Sequence, residues 1–152
     1  MCGIFGVVNY HLNEVRTPYD MSCVQAVLHR GPDEGGTFYD QHVFLGHRRL
    51  SVVDIEQGKQ PMSFHQYTMV YNGELYNTEE IRQELLKAGY TFKGHSDTEV
   101  LLKAYVCFQE RVVEKLNGIY AFAVWDSKEQ RLFVARDRAG VKPLYYYELP
   151  DG

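Results

Sequence analysis

The second residue of the chain is a cysteine, and this position can give it a chemistry of its own. Removal of the initiator Met1 is expected because the next residue, Cys2, is small. Cys2 would then carry a thiol, with an unperturbed pKa of about 8.5, beside an α-amine with a pKa of about 8 that can accept the thiol proton. The position therefore predicts an N-terminal nucleophile. The alternative is an incidental apolar residue at the start of a strand, and a retained Met1 would block the amine and leave the chain inactive.

The run Asn72-Gly73-Glu74 follows a predicted strand and could hold a developing negative charge. An asparagine side-chain amide beside a glycine N–H supplies the two donors of an oxyanion hole. The alternative is a type I′ hairpin turn, for which Asn-Gly is the strongest short signal. The residues that follow, 74–83, indicate a helix and not a returning strand, which weakens the hairpin interpretation without removing it.

Two charged residues could recognise the two ends of an amino acid. Arg49 lies among strand residues, and a guanidinium can bind a carboxylate through two parallel hydrogen bonds. Asp97 lies in the first turn of a predicted helix, where the helix dipole favours an ionised carboxylate that could hold an ammonium group. Each residue also has an ordinary interpretation. Arg49 could be a solvated charge on an edge strand, and Asp97 could be an acid that only stabilises the helix dipole. With Cys2 and the Asn72-Gly73 pair they suggest a site for glutamine, although spacing alone does not place them in one pocket.

Composition excludes several classes of protein. The 152 residues are 45% hydrophobic and 24% charged, which is typical of one globular domain with a core. No apolar run approaches the roughly 18 residues of a membrane span, and the first residues do not form a secretory signal. The net charge of −4, with scattered Lys and Arg, argues against nucleic acid as a partner. Three cysteines without metal-ligand spacing predict no disulfide scaffold, no metal site and a reducing cytoplasm.

Periodicity predicts an α+β fold. Strands are predicted over 3–8, two or three times within 36–53, and over 67–72, 90–92, 119–125, 131–136 and 143–147. Helices are predicted from Thr17 to Gly31, from Asn77 to Gly89 with Glu80 completing a capping box, from Ser96 with Glu99 as its reciprocal partner, and over 110–116. Because the strands come as antiparallel hairpins and the helices in separate blocks, we expect two packed antiparallel sheets with helices outside.

Six short motifs in order carry a resemblance to a known family. They are MCGIFG at 1–6, HRGPD at 29–33, HRRLSVVD at 47–54, YNGELYN at 71–77, SDTEV at 96–100 and RDRAGVKPLYY at 136–146. Together they resemble the N-terminal glutaminase domain of the asparagine synthetase B family, a class II glutamine amidotransferase. The resemblance covers nearly the whole chain, and HRGPD and NGELYN resemble this branch more than the glucosamine-phosphate, amidophosphoribosyl or glutamate synthase branches.

The resemblance implies one domain over residues 1–152, with an N-terminal nucleophile hydrolase fold, a four-layer αββα sandwich of two antiparallel sheets. It implies that Cys2 attacks the glutamine amide and that Asn72 and Gly73 form the oxyanion hole. It also implies that Arg49 and Asp97 hold the carboxylate and the amine of the substrate. The remaining pocket residues that it implies are Leu50, Ser51, Val52, Val53 and Glu74.

The activity implied is hydrolysis of L-glutamine to glutamate and ammonia, with no metal or other cofactor in this domain. In the family, the ammonia serves ATP-dependent asparagine synthesis in a C-terminal synthetase domain, where ATP and Mg²⁺ would bind. The chain has no Ser-Gly-Gly-type pyrophosphate loop, so we expect a fragment or a stand-alone cytoplasmic glutaminase domain with no membrane partner; a homodimer is compatible with this. Two alternatives stay open: a glutamine-binding or regulatory module with little turnover, and an amidotransferase for a different carboxylate acceptor.

Overall fold

The computed structural model describes residues 2–9, 24–50 and 58–148, and two antiparallel sheets form the centre of the fold. The first sheet contains β1 (Gly3–Val8), β2 (Glu34–Tyr39) and β3 (Val43–Arg49), with β3 in the middle. The second sheet contains β4 (Met62–Phe64), β5 (Tyr67–Leu75), β6 (Gly118–Asp126) and β7 (Arg131–Arg136), paired in that order. The predicted strand 3–8 and the predicted hairpin of β6 with β7 are therefore confirmed.

The helical segments between β5 and β6 are α1 (Thr78–Lys87), α2 (Asp97–Phe108), a 3₁₀ turn (Gln109–Arg111) and α3 (Val112–Lys115). A further 3₁₀ turn covers Leu28–Arg30. Most of the helix predicted from Thr17 lies outside the described residues. Among the described ranges, no helix has the length and apolar character needed to cross a membrane.

Side chains of β5 and β6 alternate between two apolar layers, as the two-residue period of a strand requires. Met69 of β5 packs in a layer with Leu101 of α2. Val70 of β5 and Trp125 of β6 pack instead in a layer with Leu45 of β3. The second sheet is therefore covered by helices on one face and by the first sheet on the other, which confirms the predicted α+β arrangement.

Strand β5 extends beyond its predicted end. The sequence predicts that the strand stops at residue 72, but it pairs with β6 over its whole length, from Tyr67 opposite Asp126 to Leu75 opposite Gly118. The hairpin interpretation of Asn-Gly is therefore wrong, because the partner strand comes from far along the chain and overrides the local turn signal.

The capping predictions have mixed outcomes. Asn77 precedes α1 but makes no cap bond. Its amide donates to the carbonyl of Lys115 (2.9 Å) and its Oδ1 accepts from the N–H of Asn117 (3.0 Å), so the predicted capping box is wrong. Ser96 Oγ accepts from the N–H of Glu99 as predicted (3.3 Å). The Glu99 carboxylate does not reciprocate, because it accepts from the N–H groups that precede the helix, at 93 and 94.

Two predicted strands are absent from the described chain. Residues 90–92 and 143–147 have no strand assignment, although both runs are rich in aromatic residues. Tyr145, Tyr146 and Tyr147 are 90%, 88% and 82% exposed, so no neighbouring strand covers them. The last strand predicted within 36–53 begins at Arg49, which ends β3, and its residues from 51 onward lie outside the described residues.

Candidate active site

A cavity of about 420 Å³ opens where the chain before β1, the end of β3 and the end of β5 meet the start of α2. This is the size of an ordinary small-molecule site. Its wall contains seven of the residues singled out from the sequence: Cys2, Arg49, Leu50, Asn72, Gly73, Glu74 and Asp97. Ser51, Val52 and Val53 lie outside the described residues, so their assignment to the pocket stays a prediction.

Cys2 reaches the cavity because β1 pairs antiparallel with β3. Gly3 lies opposite Arg48, which brings the preceding Cys2 to the end of β3. Its Sγ lies 4.0 Å from the carbonyl oxygen of Leu50, and the thiol is free. A side chain at Gly3 would place its Cβ 2.7 Å from the Cβ of Val27, so the glycine lets the chain pass close to this neighbour.

Gly73 directs its N–H toward the cavity by the alternation of β5. Strand β4 covers the edge of β5 only as far as Met69. Beyond it, the N–H of Tyr71 donates to Gln60 Oε1 (2.6 Å) and that of Leu75 donates to Asp97 Oδ2 (3.3 Å). Because every second N–H of an antiparallel strand points to the same edge, the N–H of Gly73 points between these two, into the cavity.

The position of Gly73 also excludes a side chain. A Cβ there would lie 2.8 Å from the Cα of Tyr120 and closer still to the carbonyl oxygen of Ile119, both in the backbone of β6. The neighbouring Asn72 is buried and also lines the cavity. An amide donor and a backbone donor therefore come from adjacent residues of one paired strand.

Arg49 is a buried cation. It ends the central strand β3 and is only 5% exposed, so the interpretation as a solvated edge-strand charge is wrong. Its Nη1 lies 3.3 Å from Oε2 of Glu34, on the adjacent strand β2. Oε1 of Glu34 lies 3.6 Å from Nζ of the exposed Lys59. This chain of charges restrains the guanidinium at the cavity wall.

Asp97 is a half-buried carboxylate at the start of α2. Its Oδ2 accepts hydrogen bonds from the hydroxyl of Tyr71 (2.7 Å) and from the N–H of Leu75 (3.3 Å). Burial raises the pKa of Asp97, and these two hydrogen bonds act against that rise. The ionised form therefore depends on hydrogen-bond donors as well as on the helix dipole.

Sequence reasoning missed several residues of the cavity wall. They are Gly58, Gln60, Tyr71, Leu75, Thr78, His95, Ser96, Thr98 and Lys142. Tyr71 belongs to the YNGELYN motif, yet its aromatic side chain suggested only a strand. Lys142 belongs to the RDRAGVKPLYY motif but has no spacing that relates it to the other site residues, and Gln60 carries no local signal, because only the tertiary fold brings the two to the cavity.

His47 has a structural position. It is buried behind the cavity, and its Nε2 lies 3.1 Å from the carbonyl oxygen of Tyr71. Burial lowers the pKa of His47 to about 4, so the ring is neutral at pH 7 and Nε2–H donates to that carbonyl. The bond holds the backbone of β5 from the side of the first sheet. Among the described residues, no three His, Cys, Asp or Glu side chains come together as a metal site would require.

Sequence comparison assigns the chain to a family. The chain belongs to the glutamine amidotransferase domain family, whose sequence model matches residues 1–152. It is 51% identical over 151 residues to asparagine synthetase [glutamine-hydrolyzing] 3 of Bacillus subtilis, covering 96% of this chain and 25% of that protein. It is 36% identical over 148 residues to asparagine synthetase B of Escherichia coli K12, covering 95% and 26%. The chain thus spans about a quarter of the length of these relatives and corresponds to their glutamine amidotransferase part.

Solved structures agree with this assignment. The structure described as the allosteric regulatory enzyme of purine biosynthesis matches with a TM-score of 0.58 and 27% identity, over 68% of this chain and 25% of that one. The glutamine phosphoribosylpyrophosphate amidotransferase of Bacillus subtilis, in complex with ADP and GMP, matches with a TM-score of 0.54 and 25% identity, over 68% and 24%. These matches confirm the predicted sandwich of the N-terminal nucleophile hydrolase class.

Proposed function

We propose that this chain hydrolyses L-glutamine to L-glutamate and ammonia, with Cys2 as the nucleophile. One observation carries the proposal: a single cavity is lined by a thiol, an Asn-Gly pair, a buried cation and a carboxylate. These groups come from four separate segments of the chain, around Cys2, Arg49, Asn72 and Asp97. A zwitterionic amino acid with a side-chain amide has a complementary group for each of them.

Substrate recognition follows from the two charged residues. Arg49 would bind the α-carboxylate of glutamine, and its link to Glu34 restrains the guanidinium before substrate arrives. Asp97 would bind the α-ammonium group through its carboxylate. Glu74, which is exposed at the cavity wall, and the segment 50–53 would surround the rest of the substrate. The side-chain amide is then left to face Cys2.

Proton transfer at Cys2 starts the reaction. Once Met1 is removed, the α-amine of Cys2 accepts the thiol proton, directly or through a water molecule. The thiolate attacks the amide carbon, a C–S bond forms, and the carbonyl π electrons move to the oxygen. The Asn72 amide and the Gly73 N–H donate to that oxyanion. The tetrahedral intermediate collapses as the C–N bond breaks, and the α-ammonium gives its proton to the departing nitrogen, which leaves as ammonia.

Water completes the cycle. The α-amine, again neutral, takes a proton from water while the oxygen attacks the γ-glutamyl thioester. The C–S bond then breaks, and the sulfur takes back a proton as glutamate leaves. Every group that this sequence uses belongs to the substrate, to water or to this chain, so we propose that the domain itself needs no metal or other cofactor.

We further propose that the ammonia serves a C-terminal synthetase unit of the whole protein. Both curated relatives named above are called asparagine synthetases, and each continues well beyond the length of this chain. ATP and Mg²⁺ would bind in that unit, and asparagine would be the product. The free thiols of Cys2 and Cys107 suit a reducing compartment such as the cytoplasm.

The test of the proposed function is direct. Mature protein incubated with L-glutamine is expected to release glutamate and ammonia in equal amounts, and D-glutamine is the control for the recognition of the α-carbon. The intact mass of the same sample shows whether Met1 has been removed. Binding of L-glutamine by fully processed protein without any glutamate release would contradict the proposal and favour a binding or regulatory module.

Recognition by Arg49 gives a separate prediction. The variant Arg49→Lys keeps the charge but loses the planar fork of donors, so the KM for glutamine is expected to rise about tenfold or more while kcat falls much less. Steady-state kinetics of glutamate release measure both constants. The matched control is Arg48→Lys, on the same strand, because the Arg48 guanidinium donates to backbone carbonyls at Gly31 and Pro32 and does not line the cavity. If kcat alone falls in Arg49→Lys, Arg49 has another role.

A further inference from the structure

We infer that Tyr71 is a positioning residue for substrate recognition, which orients the Asp97 carboxylate toward the ammonium group of glutamine. The inference rests on the proposed function and adds a residue to it. Tyr71 is 2% exposed, yet it lies in the cavity wall and its hydroxyl donates to Asp97 Oδ2 at 2.7 Å. The cavity therefore contains a buried hydroxyl whose bonding partner is the carboxylate proposed to bind the substrate.

The backbone of Tyr71 is fixed on both sides. Its N–H donates to Gln60 Oε1 at 2.6 Å, and its carbonyl oxygen accepts from Nε2 of the neutral His47 at 3.1 Å. Its ring lies against Gly73, where a Cβ would come within 2.8 Å of Tyr71 Cε2. These contacts define where the hydroxyl is, so its hydrogen bond to Asp97 has a set direction.

Two donors from β5 bind the same carboxylate oxygen of Asp97. The hydroxyl of Tyr71 and the N–H of Leu75 both donate to Oδ2. These two bonds hold Oδ2 in place and prevent the carboxyl group from rotating freely about its Cβ–Cγ bond. Without the hydroxyl, the longer bond from Leu75 (3.3 Å) and the backbone N–H groups of Asp97 and Thr98 at the start of the helix would orient the carboxylate.

The hydroxyl also favours the ionised form of Asp97. A hydrogen bond donated to a carboxylate stabilises its charge and lowers its pKa, which opposes the effect of burial. The titratable and charged groups that share the cavity with Asp97 are Cys2 before β1, Arg49 of β3, Tyr71 and Glu74 of β5, His95 before α2, and Lys142 after β7. Within this set, Tyr71 donates a hydrogen bond to the Asp97 side chain at 2.7 Å.

The variant Tyr71→Phe isolates the hydroxyl. It keeps the ring against Gly73 and both backbone hydrogen bonds. A lost hydrogen bond to a charged group is expected to raise the KM for glutamine about tenfold, with kcat within about twofold of wild type. The pKa of Asp97 rises when the donor is removed, so Asp97 is protonated at a higher pH. The acidic limb of the kcat/KM profile is therefore expected to move to higher pH.

Two comparisons separate positioning from a general structural effect. Tyr105→Phe removes the hydroxyl of another buried tyrosine, on the same helix as Asp97 but away from the cavity, and is expected to leave KM and the pH profile unchanged. In an Asp97→Asn background, adding Tyr71→Phe is expected to change kcat/KM less than twofold, because the group that Tyr71 acts through is already altered. The comparison in the Asp97→Asn background remains informative even if Tyr71→Phe lowers the thermal stability of the protein.

The outcomes distinguish the inference from the function on which it rests. If wild type releases glutamate but Tyr71→Phe keeps the wild-type KM and acidic limb, the inference about Tyr71 is overturned while the proposed function stands. The same holds if only kcat falls, because Tyr71 would then act on the nucleophile and not on Asp97. If wild type with a processed N-terminus releases no glutamate, the proposed function itself fails.

Discussion

Replacement of Cys2 by alanine is expected to abolish glutamate release, by at least about 10⁴-fold, because it removes the atom that forms the thioester. Of the cysteines in the described part of the chain, Cys2 lines the cavity. Cys107 packs against the apolar core that the helices share with the second sheet. The side chain of Cys2 is partly exposed, so the loss of unfolding free energy is expected to stay within about 0.5 kcal/mol. Glutamate assays, glutamine binding by calorimetry and thermal unfolding measure the three quantities.

Two further variants test whether the activity depends on the thiol of Cys2 in particular and on its α-amine. Cys107→Ala is expected to keep its activity, because that thiol does not reach the cavity. A lysine inserted between Met1 and Cys2 is expected to prevent methionine removal, so the thiol stays but the α-amine is lost. Activity in the Cys2→Ala variant would refute the nucleophile. Full activity in the insertion variant would instead refute the amine as the proton acceptor.

Removal of the Asn72 amide is expected to have the second largest effect. Asn72→Leu preserves the approximate volume but lacks the N–H that would donate to the oxyanion, so kcat is expected to fall about 10²- to 10³-fold. The KM should change little, because the charge on the oxygen exists only after the thiolate attacks. Steady-state kinetics with L-glutamine separate the two constants.

Asn77, in the same YNGELYN motif, provides the matched control. Its side chain bonds to backbone groups of Lys115 and Asn117, away from the cavity. Asn77→Ala is expected to lower the thermal midpoint and to leave kcat near wild type. A wild-type kcat in Asn72→Leu, or an equal loss of kcat in Asn77→Ala, would show that Asn72 does not stabilise the oxyanion.

Local patterns predicted much of this fold from the sequence alone. The apolar run that forms β1 has the composition of a buried strand, and the polar residues 127–130 separate two apolar runs that pair as β6 and β7. Ser96 caps α2, and Gly89 follows α1 with a φ of +90°, the conformation that favours glycine after a helix. Each of these features depends on residues a few positions apart, so a short stretch of sequence is enough to predict it.

The predictions of a turn at Asn72-Gly73 and of a helix cap at Asn77 are wrong because distant parts of the chain contact these residues. Asn72-Gly73 has the local signal of a turn, but pairing with β6 keeps it extended. Asn77 has the local signal of a helix cap, but the loop before β6 offers its amide a backbone carbonyl and an N–H. A local preference is worth about 1 kcal/mol, and a contact with a distant segment can exceed it.

The sequence by itself determined which chemical groups the protein has: a second-position thiol, an Asn-Gly donor pair, an arginine among strand residues and an acid at a helix start. Only the tertiary structure decided that Cys2, Arg49, Asn72 and Asp97 line one cavity, and that Tyr71 donates to Asp97. The physical reason is that side-chain periodicity specifies which face of an element is buried. The register between β1 and β3, and between β5 and β6, specifies which residues meet, and it arises from contacts between segments far apart in the chain.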